Sequence, residues 1–312
     1  MKKGYLIALV GALTLFALLA FIPLGSCANP AALGRTMDAG HTVTFFLLGG
    51  LLYFAIEHHG KWKALAITAI ASTLLMVAIE AVQPYVGRTA SLADVRLGVL
   101  GMLLALGGIV IWHHVNHWML RVVQLLLLVA ALLWIVSPAL NEWRALWLRE
   151  QQFPLLGSFE HELEKKLWKA SGRASGKRTH ISFSDQHLLS GANSLKIETV
   201  NGSWSGVSYA AGDQNWKGYQ ALSMTFYNPG SAFSFNLRID DGLQHAPSHS
   251  ERYNGRLRVD KGASTVMIPL AEIAAGPRSR LLHLDQIRRM ILFSSRNEKP
   301  RVFYLDDVRL VP

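Results

Sequence analysis

Ionisable and amide side chains interrupt the apolar first half of the chain, where hydrocarbon would penalise them. Glu80 and Gln83 stand at i and i+3 at the end of the apolar run Ala64–Ile79, so they share one helix face. The full set is Asp38, His41, Glu80, Gln83, Arg88 and Asp94. Histidine titrates near neutral pH and a carboxylate beside arginine stays ionised, so the chemistry open to this set is acid–base. Two interpretations stand: a pocket for a polar headgroup or lipid-linked sugar, and a structural network that ties helix ends together.

Five apolar runs would position these residues by crossing a bilayer. The runs are Tyr5–Ile22, His41–Ile56, Ala64–Ile79, Leu97–Trp112 and Val122–Ser137. Each is close to the length that a membrane helix needs. Lys2 and Lys3 precede the first run, which predicts a cytoplasmic N-terminus, and five crossings then put the residues after Ser137 outside the cytoplasm. The polar set then lies at the outer ends of the helices.

The sequence around Cys27 leaves the role of the first run open. Leu24-Gly25-Ser26-Cys27 resembles a lipobox, in which the cysteine is acylated after cleavage. The alternative is an uncleaved membrane helix, and both interpretations place Cys27 outside the cytoplasm. Because the chain has one cysteine, it forms no intrachain disulfide.

The order and spacing of the polar set resemble a family pattern. The pattern reads Asp38-x-x-His41-x-x-x-Phe45, Glu80-x-x-Gln83, Arg88, Asp94 and Gly98-x-x-Gly101. Over Ala28–Ile111 the chain is similar to the VanZ-like family of multi-spanning membrane proteins. Gly98 stands where members usually have asparagine, and Asp38 is one residue nearer to His41 than usual. The resemblance implies a bacterial envelope protein, and it links some members to glycopeptide (teicoplanin) resistance.

The positive charge of the chain is concentrated in its second half. The 312 residues include 31 basic and 21 acidic ones, and 23 of the basic and 16 of the acidic residues follow Glu142. A basic domain fits anionic lipid headgroups, lipopolysaccharide or an acidic polysaccharide. The sequence has no Walker, G-x-G-x-x-G or recognition-helix pattern, so we expect no nucleic-acid partner.

From Ser158 onwards the apolar residues alternate as they do in strands. The predicted strands are Ser194–Val200, Ala221–Tyr227, Phe233–Ile239, Arg256–Asp260, Thr265–Ile268, Met290–Ser294 and Arg301–Leu310. Turn sequences separate them, which predicts an antiparallel sandwich or jelly roll. The predicted fold is thus an α-helical multi-spanning membrane bundle followed by an all-β jelly roll. Its parts are a membrane domain of residues 1–140, an amphipathic juxtamembrane stalk of residues 141–157 and a β domain of residues 158–312.

A second resemblance concerns the β domain. Its segments SLKIE, WKGYQALSMTFYNPG, FNLRIDD, RYNGRLRVDKG, VMIPLAEI and FYLDDVRL follow one another in order. Over Phe159–Val311 this series is similar to the galactose-binding-like jelly roll, the fold of many carbohydrate-binding modules. The resemblance implies sugar recognition by aromatic faces and by polar groups at hydroxyl spacing. The candidate glycan-binding residues are Trp204, Tyr209, Asp240, Asp241, His245, Tyr253, Asn254 and Arg256. Trp216 is predicted to lie in the core, Tyr253 is alternatively a core residue, and Asp240 and Asp241 are alternatively turn formers.

The same resemblance implies a structural calcium ion. Glu160 and Asp306, near the two ends of the β domain, match acidic positions that hold calcium in related modules. The sequence has no nucleophile motif and no pair of glutamates on facing strands, so we expect no hydrolytic activity.

Three functions from different classes fit these observations. The first is a bacterial inner-membrane protein whose extracytoplasmic domain binds or senses an envelope glycan or exopolysaccharide, with a link to glycopeptide-type antibiotic tolerance. The second is an enzyme or carrier that acts on a lipid-linked sugar at the outer polar set. The third is a protein-interaction module in an envelope assembly complex.

Overall fold

The computed structural model describes residue 11 and residues 29–86, 90–174, 177–201, 204–243, 247–294 and 299–312. The predicted helix Tyr5–Ile22, apart from Gly11, lies outside the described residues, and so do Cys27, Arg88 and His245. The chain forms two compact units, Met1–Glu142 and Trp143–Pro312.

Long apolar helices form the described part of the first unit. They are α1 (Pro30–Ile56), α2 (Lys61–Val82), α3 (Leu92–His114) and α4 (Trp118–Gln152). By length and composition these four helices of the described chain could each cross a membrane, with mean hydropathies of 1.6 to 2.5 over their most apolar stretches. Helix α4 continues through Pro138 to Gln152, so residues 141–152 of the predicted stalk belong to the same helix as the last predicted membrane run, whereas residues 155–157 form a strand.

Gly101 allows α3 to approach α1 closely. A Cβ atom on Gly101 would lie 2.0 Å from the carbonyl oxygen of Thr42 on α1. The Thr42 hydroxyl donates a hydrogen bond of 3.1 Å to the Leu97 carbonyl on α3. Small residues let membrane helices pack backbone against backbone, and Gly101 has this role here.

We expect Gly101→Ala to lower the stability of the helical unit by about 1–3 kcal/mol or more, because the new methyl group meets backbone and α1 must move away. Gly107→Ala is the matched control, since a Cβ at Gly107 has no neighbour within 4 Å. The unfolding temperature of each variant, measured on the full chain in detergent, gives its change in stability. Equal unfolding temperatures for the two variants would contradict the close contact.

The second unit is a sandwich of two antiparallel sheets. Its strands are β1 (Leu155–Gly157), β2 (Trp168–Ser171), β3 (Arg173–Ala174), β4 (Lys177–Arg178), β5 (His180–Ser184), β6 (Ser194–Glu198), β7 (Ser205–Gln214), β8 (Ala221–Asn228), β9 (Phe233–Asp241), β10 (Tyr253–Val259), β11 (Gly262–Pro269), β12 (Ile287–Ser294) and β13 (Val302–Val311). Short helices α5 (Glu164–Leu167) and α6 (Leu270–Ala274) connect strands. One sheet has the order β11-β8-β13-β6-β5 with β1 beside β13, and the other has the order β10-β9-β12-β7-β2. The predicted antiparallel sandwich is confirmed, and β3 and β4 pair separately.

The core of this unit fills the space between the sheets. Strand β9 sends Phe235 and Leu237 inward, and Trp216 is fully buried, as predicted. Ala145 of α4 and Leu156 of β1 belong to the same core. The compact unit therefore begins before residue 158, the predicted start of the β domain.

Candidate functional site

The five-stranded sheet turns one side to the core and the other to solvent. Because side chains alternate along a strand, every second residue of β10, β9, β12, β7 and β2 faces outward. We call these outward residues, together with Trp204, the outer face. Strand pairing arranges them in rows across the sheet. The first row is Asn254, Arg238, Ile291, Ser208 and Lys169. The second row is Arg256, Asn236, Phe293, Gly206 and Ser171.

Trp204 provides an aromatic platform beside the second row. Its ring stacks on Phe293 with 4.7 Å between centroids and 23° between planes, yet the residue is 54% exposed. Its backbone φ of 65° is unusual for a bulky side chain. Hydrogen bonds hold it there: the Trp204 N–H donates to the Ser294 carbonyl at 2.8 Å, and the Ser171 hydroxyl donates to the Trp204 carbonyl at 3.3 Å. Strain that is held in this way is a feature of binding sites.

Asp240 anchors two arginines of the outer face. Arg238 donates to both of its carboxylate oxygens at 2.7 Å, and Arg289 donates to Oδ2 at 3.0 Å. Only 2% of Asp240 is exposed. The carboxylate therefore orients two guanidinium groups on neighbouring strands rather than presenting free oxygens to a sugar.

Arg252 adds a buried positive charge next to this pair. It donates to the Asn254 side-chain oxygen at 3.1 Å and to the Pro247 carbonyl at 3.2 Å. Burial, reinforced by Arg238, lowers the pKa of Arg252. The Asn254 amide group in turn donates to the His249 carbonyl at 2.8 Å. Asn254 thus fixes the edge of the outer face, and its amide is already engaged.

Two tyrosines predicted to contact glycan lie in the core instead, which corrects that prediction. Tyr209 is completely buried and its hydroxyl donates to Gln214 at 3.2 Å. Tyr253 is 4% exposed and its hydroxyl donates to Glu272 at 2.7 Å. Burial raises the pKa of both hydroxyls. Both belong to the inward set of their strands, β7 and β10, so neither can stack on a sugar.

Asp241 is neither an exposed glycan contact nor a turn former, because it is buried at the end of strand β9. It is fully buried, and it accepts hydrogen bonds from Arg280 at 3.0 Å and from the His283 N–H at 3.0 Å. Burial alone would raise the pKa of Asp241, but these hydrogen bonds outweigh it and hold the pKa below its usual value. The carboxylate ties the end of β9 to the loop that precedes β12.

The predicted calcium ligands Glu160 and Asp306 both accept hydrogen bonds from the loop between β5 and β6. Glu160 accepts hydrogen bonds from the Ala192 and Asn193 N–H groups, and Asp306 accepts one from the Ser190 N–H at 2.9 Å. Burial, with smaller effects of Asp307 and Glu160, raises the pKa of Asp306 to about 6. Carboxylate oxygens are the ligands that calcium prefers, although the hydrogen bonds given above for these two carboxylates come from backbone N–H groups. A calcium ion bound by Glu160 and Asp306 would neutralise them and stabilise the loop.

We expect the pH dependence of stability to report on Asp306. Because its folded pKa of about 6 exceeds the unfolded value of 3.8, the stabilisation is present below pH 4 and is lost as the pH rises past 6. The loss amounts to about 3 kcal/mol. Chemical denaturation across this range without calcium measures it, and Asp306→Asn should abolish the slope. Added calcium favours the ionised form, so it should offset the loss above pH 6. An unchanged slope in Asp306→Asn would contradict this assignment.

The polar set of the first unit is partly assembled in the structure. His41 Nδ1 donates to the Met37 carbonyl at 2.9 Å, and its Nε2 lies 3.8 Å from Glu80 Oε1. Glu80 Oε2 accepts a hydrogen bond from the Ser91 N–H at 2.7 Å. Single ligand atoms of His41, Glu80 and Asp94 lie within 4.8 Å of one another. We call these three residues the buried polar cluster.

The remaining members of the predicted polar set are not in the buried polar cluster or lie outside the described residues. Gln83 is fully buried in the turn after α2, and its side-chain nitrogen and oxygen have no hydrogen-bond partner among the described residues. Asp38 is half exposed and pairs with Arg35 at 3.6 Å. Arg88 lies outside the described residues. The structure therefore brings together one histidine and two carboxylates, a combination that can hold a proton or a cation.

Comparison with known proteins bears on the second unit. Residues 152–295 match the family model of the carbohydrate binding domain (family 11). The C-terminal unit is similar to family 11 carbohydrate-binding domains. The residues of the outer face named above all fall within this match. No curated protein sequence matches the chain.

Solved structures similar to this chain include carbohydrate-binding modules. The family 11 module from Clostridium thermocellum, in complex with a β-1,3-1,4-mixed-linked tetrasaccharide, is 21% identical, with 50% of this chain and 94% of that chain covered and a TM-score of 0.40. The family 22 xylan-binding domain from Paenibacillus barcinonensis Xyn10C is 14% identical, with 47% and 86% covered and a TM-score of 0.33.

Several residues of the outer face are absent from the predicted site. They are Lys169, Ser208, Asn236, Arg238, Arg289 and Phe293. The two residues on β9 could have been identified from the sequence, because Asn236 and Arg238 are the polar alternates of the predicted strand Phe233–Ile239. Lys169 and Ser208 could not have been identified in this way, since β2 and β7 were not predicted from the sequence.

Proposed function

We propose that the outer face binds a glycan. The observation that carries this proposal is the Trp204 platform beside two rows of polar side chains. Sugars present C–H surfaces that stack on aromatic rings and hydroxyl groups that pair with amide, hydroxyl and guanidinium groups. The match of residues 152–295 to a carbohydrate binding domain supports the same function. The module has no role of its own in bond cleavage under this proposal.

A glycan panel tests the proposal. The fragment Trp143–Pro312 contains the complete second unit, including Ala145 and Leu156 of its core, so it is the appropriate length. Affinity electrophoresis through gels that contain neutral or acidic polysaccharides should retard the fragment in at least one gel. Migration equal to that of a non-binding reference protein in every gel would contradict glycan binding, and would favour a protein-interaction module instead.

We further propose that the protein resides in the bacterial inner membrane with the second unit outside the cytoplasm. The apolar helices α1 to α4, together with the predicted helix Tyr5–Ile22, make five crossings from a cytoplasmic N-terminus. The module would then hold an envelope glycan close to the membrane, in a role linked to glycopeptide tolerance. Alkaline phosphatase fused after Pro312 should be active in cells, because this enzyme needs an oxidising compartment. Activity of a cytoplasmic reporter alone at this position would contradict the topology.

The buried polar cluster supports a second candidate function, an enzyme or carrier that acts on a lipid-linked sugar. Glu80 is 7% exposed, and its Oε1 has no hydrogen-bond partner among the described residues although it lies 3.8 Å from His41. A buried carboxylate with an available oxygen next to imidazole is suited to proton transfer.

Glu80→Gln tests this candidate, because it keeps the shape and the acceptor for Ser91 and removes the charge. If the gene confers teicoplanin tolerance through this cluster, tolerance of the variant strain should fall to the level of the deletion strain while the membrane content of the protein is unchanged. Glu57→Gln, a carboxylate in the turn after α1, is the matched control. Loss of the protein from the membrane in Glu80→Gln would instead identify the cluster as structural.

A further inference from the structure

The outer face carries far more positive than negative charge. Its cations are Lys169, Arg238, Arg256, Arg258 and Arg289, with Arg252 buried beside them. Among its outward residues a single one is acidic, Asp240, and Asp260 follows the end of β10. Asp260 pairs with Arg258 at 2.8 Å, and Asp240 is shared by Arg238 and Arg289. Most of the positive charge is therefore not balanced within the face.

Two exposed cations lack an acidic neighbour in the described part of the chain. Arg256 and Lys169 have no ion pair with any described residue, and both are exposed. Arg289 keeps 39% of its side chain exposed although it contacts Asp240. These three side chains are available to an external anion.

The positions of these cations suit a chain that lies across the strands. Arg256 is on β10, Arg289 on β12 and Lys169 on β2, so each is two strands from the next in the order β10-β9-β12-β7-β2. Strands are about 4.8 Å apart, which separates successive cations by about 10 Å in the direction across the sheet. Along the strands they are staggered, because Arg256 is in the second row, Lys169 is in the first, and Arg289 lies outside both rows, opposite Asp240 and Ala210. A polymer with regularly repeated anionic groups could meet all three, whereas a single small anion could meet only one.

The chemistry of the face favours a carboxylate polymer over a neutral one. Guanidinium groups bind carboxylates through paired charge-assisted hydrogen bonds, which are about twice as strong as neutral ones. A neutral sugar that covers Arg256 and Lys169 would displace their water without supplying a counter-charge. The Trp204 platform at the second row distinguishes a sugar polymer from a simple anionic surface, because a lipid headgroup layer offers no flat C–H face to stack on the ring.

We infer that the outer face binds an acidic polysaccharide, whose uronic acid carboxylates pair with Arg256, Arg289 and Lys169 while one sugar ring stacks on Trp204. This inference rests on the proposed glycan-binding function and names its substrate class. Binding should be tight at low ionic strength and should weaken steeply with salt, because it depends on charges at the solvent boundary.

The experiment uses the full chain in nanodiscs of zwitterionic lipid and measures binding to polygalacturonate, alginate and hyaluronate. Carboxyl-reduced forms of the same polymers and a mixed-linked β-glucan serve as neutral ligands of similar shape. We expect at least one acidic polymer to bind about tenfold or more tightly than its reduced form at low salt, and to lose most of that advantage in 0.5 M NaCl. Arg256→Gln should weaken this binding about fivefold.

Arg309→Gln is the matched control, since it removes one exposed cation from β13 in the opposite sheet. It should leave the affinity unchanged. Equal losses in Arg256→Gln and Arg309→Gln, or equal binding of phosphatidylglycerol vesicles, would overturn the inference in favour of diffuse charge attraction. Binding of the β-glucan but of no acidic polymer would overturn the inference and leave glycan binding intact. Binding of no polymer at all would overturn both.

Discussion

Trp204→Ala should weaken glycan binding by about 10- to 100-fold, the largest effect that we expect from a single change on the outer face. The indole ring is the only large aromatic surface that the described part of this face exposes, and Phe293 already supports it from one side. Removal of the ring deletes the stacking surface. Phe293 lies beneath it and is only 6% exposed, so it cannot replace the lost surface. Isothermal titration of the fragment Trp143–Pro312 with the polymer that it binds best measures the change.

Two further variants separate binding from folding in this experiment. Trp147→Ala removes another exposed tryptophan, on α4, and should leave the affinity unchanged. Trp204→Phe keeps an aromatic face and should recover most of the affinity. Since Trp204 lies at the surface, its truncation should lower the free energy of unfolding by less than about 2 kcal/mol. Unaltered affinity in Trp204→Ala would remove the outer face as the binding site.

Asp240→Asn should destabilise the second unit by about 3–5 kcal/mol and abolish glycan binding as well. The carboxylate is almost completely buried and is shared by Arg238 and Arg289, with Arg252 also near it. Loss of its charge would leave neighbouring guanidinium groups without their common counter-charge. These groups would repel one another and lose the orientation that Asp240 gives them on the outer face.

Asp260→Asn provides the matched control for Asp240→Asn. The Asp260 carboxylate pairs with Arg258 of β10, but both side chains are largely exposed, at 62% for Asp260 and 75% for Arg258. Exposed ion pairs contribute about 0–1 kcal/mol, so the control should be close to the wild type. Urea denaturation of the fragment compares the two variants. Similar stabilities would show that Asp240 does not organise the arginines.

The sequence predicted the sandwich well where strands alternate clearly, and less well where small residues occupy a strand. Strand β9 was predicted because Phe235 and Leu237 alternate with polar residues. Strand β7 was not, because it contains Gly206 and several alanines and glycines in place of β-branched residues. The structure explains the glycine: a Cβ on Gly206 would lie 1.9 Å from the Leu292 carbonyl oxygen on β12. Close pairing to β12 thus outweighs the low strand propensity of β7.

Two errors in the predicted glycan-binding site arise because strands begin or end at other residues than the sequence predicted. Tyr253 was predicted to lie before a strand that starts at Arg256, but β10 begins at Tyr253 and turns its ring inward. Asp241 was predicted as a loop residue, although β9 extends to include it. In each case a shift of a few residues changes which side of the sheet a side chain faces. Trp204 and Arg256, by contrast, are both exposed in the structure, so their predicted contact with glycan stays a prediction.

The pairing of β1 with β13 determines how the second unit would carry mechanical load. A polymer held by the outer face and a helix held in a lipid layer would pull on the unit from two sides. The tension would reach the sandwich through the end of α4 and through β1, which follows it directly. Strand β1 has three residues; it pairs with Arg309 and Val308, and the Trp168 indole donates to the Leu156 carbonyl. Arg149 of α4 also donates to the Ala210 carbonyl at 3.3 Å, and the Leu310 N–H donates to the Pro154 carbonyl at 3.0 Å. Under force these short attachments would bear the load before the ladders between the longer strands.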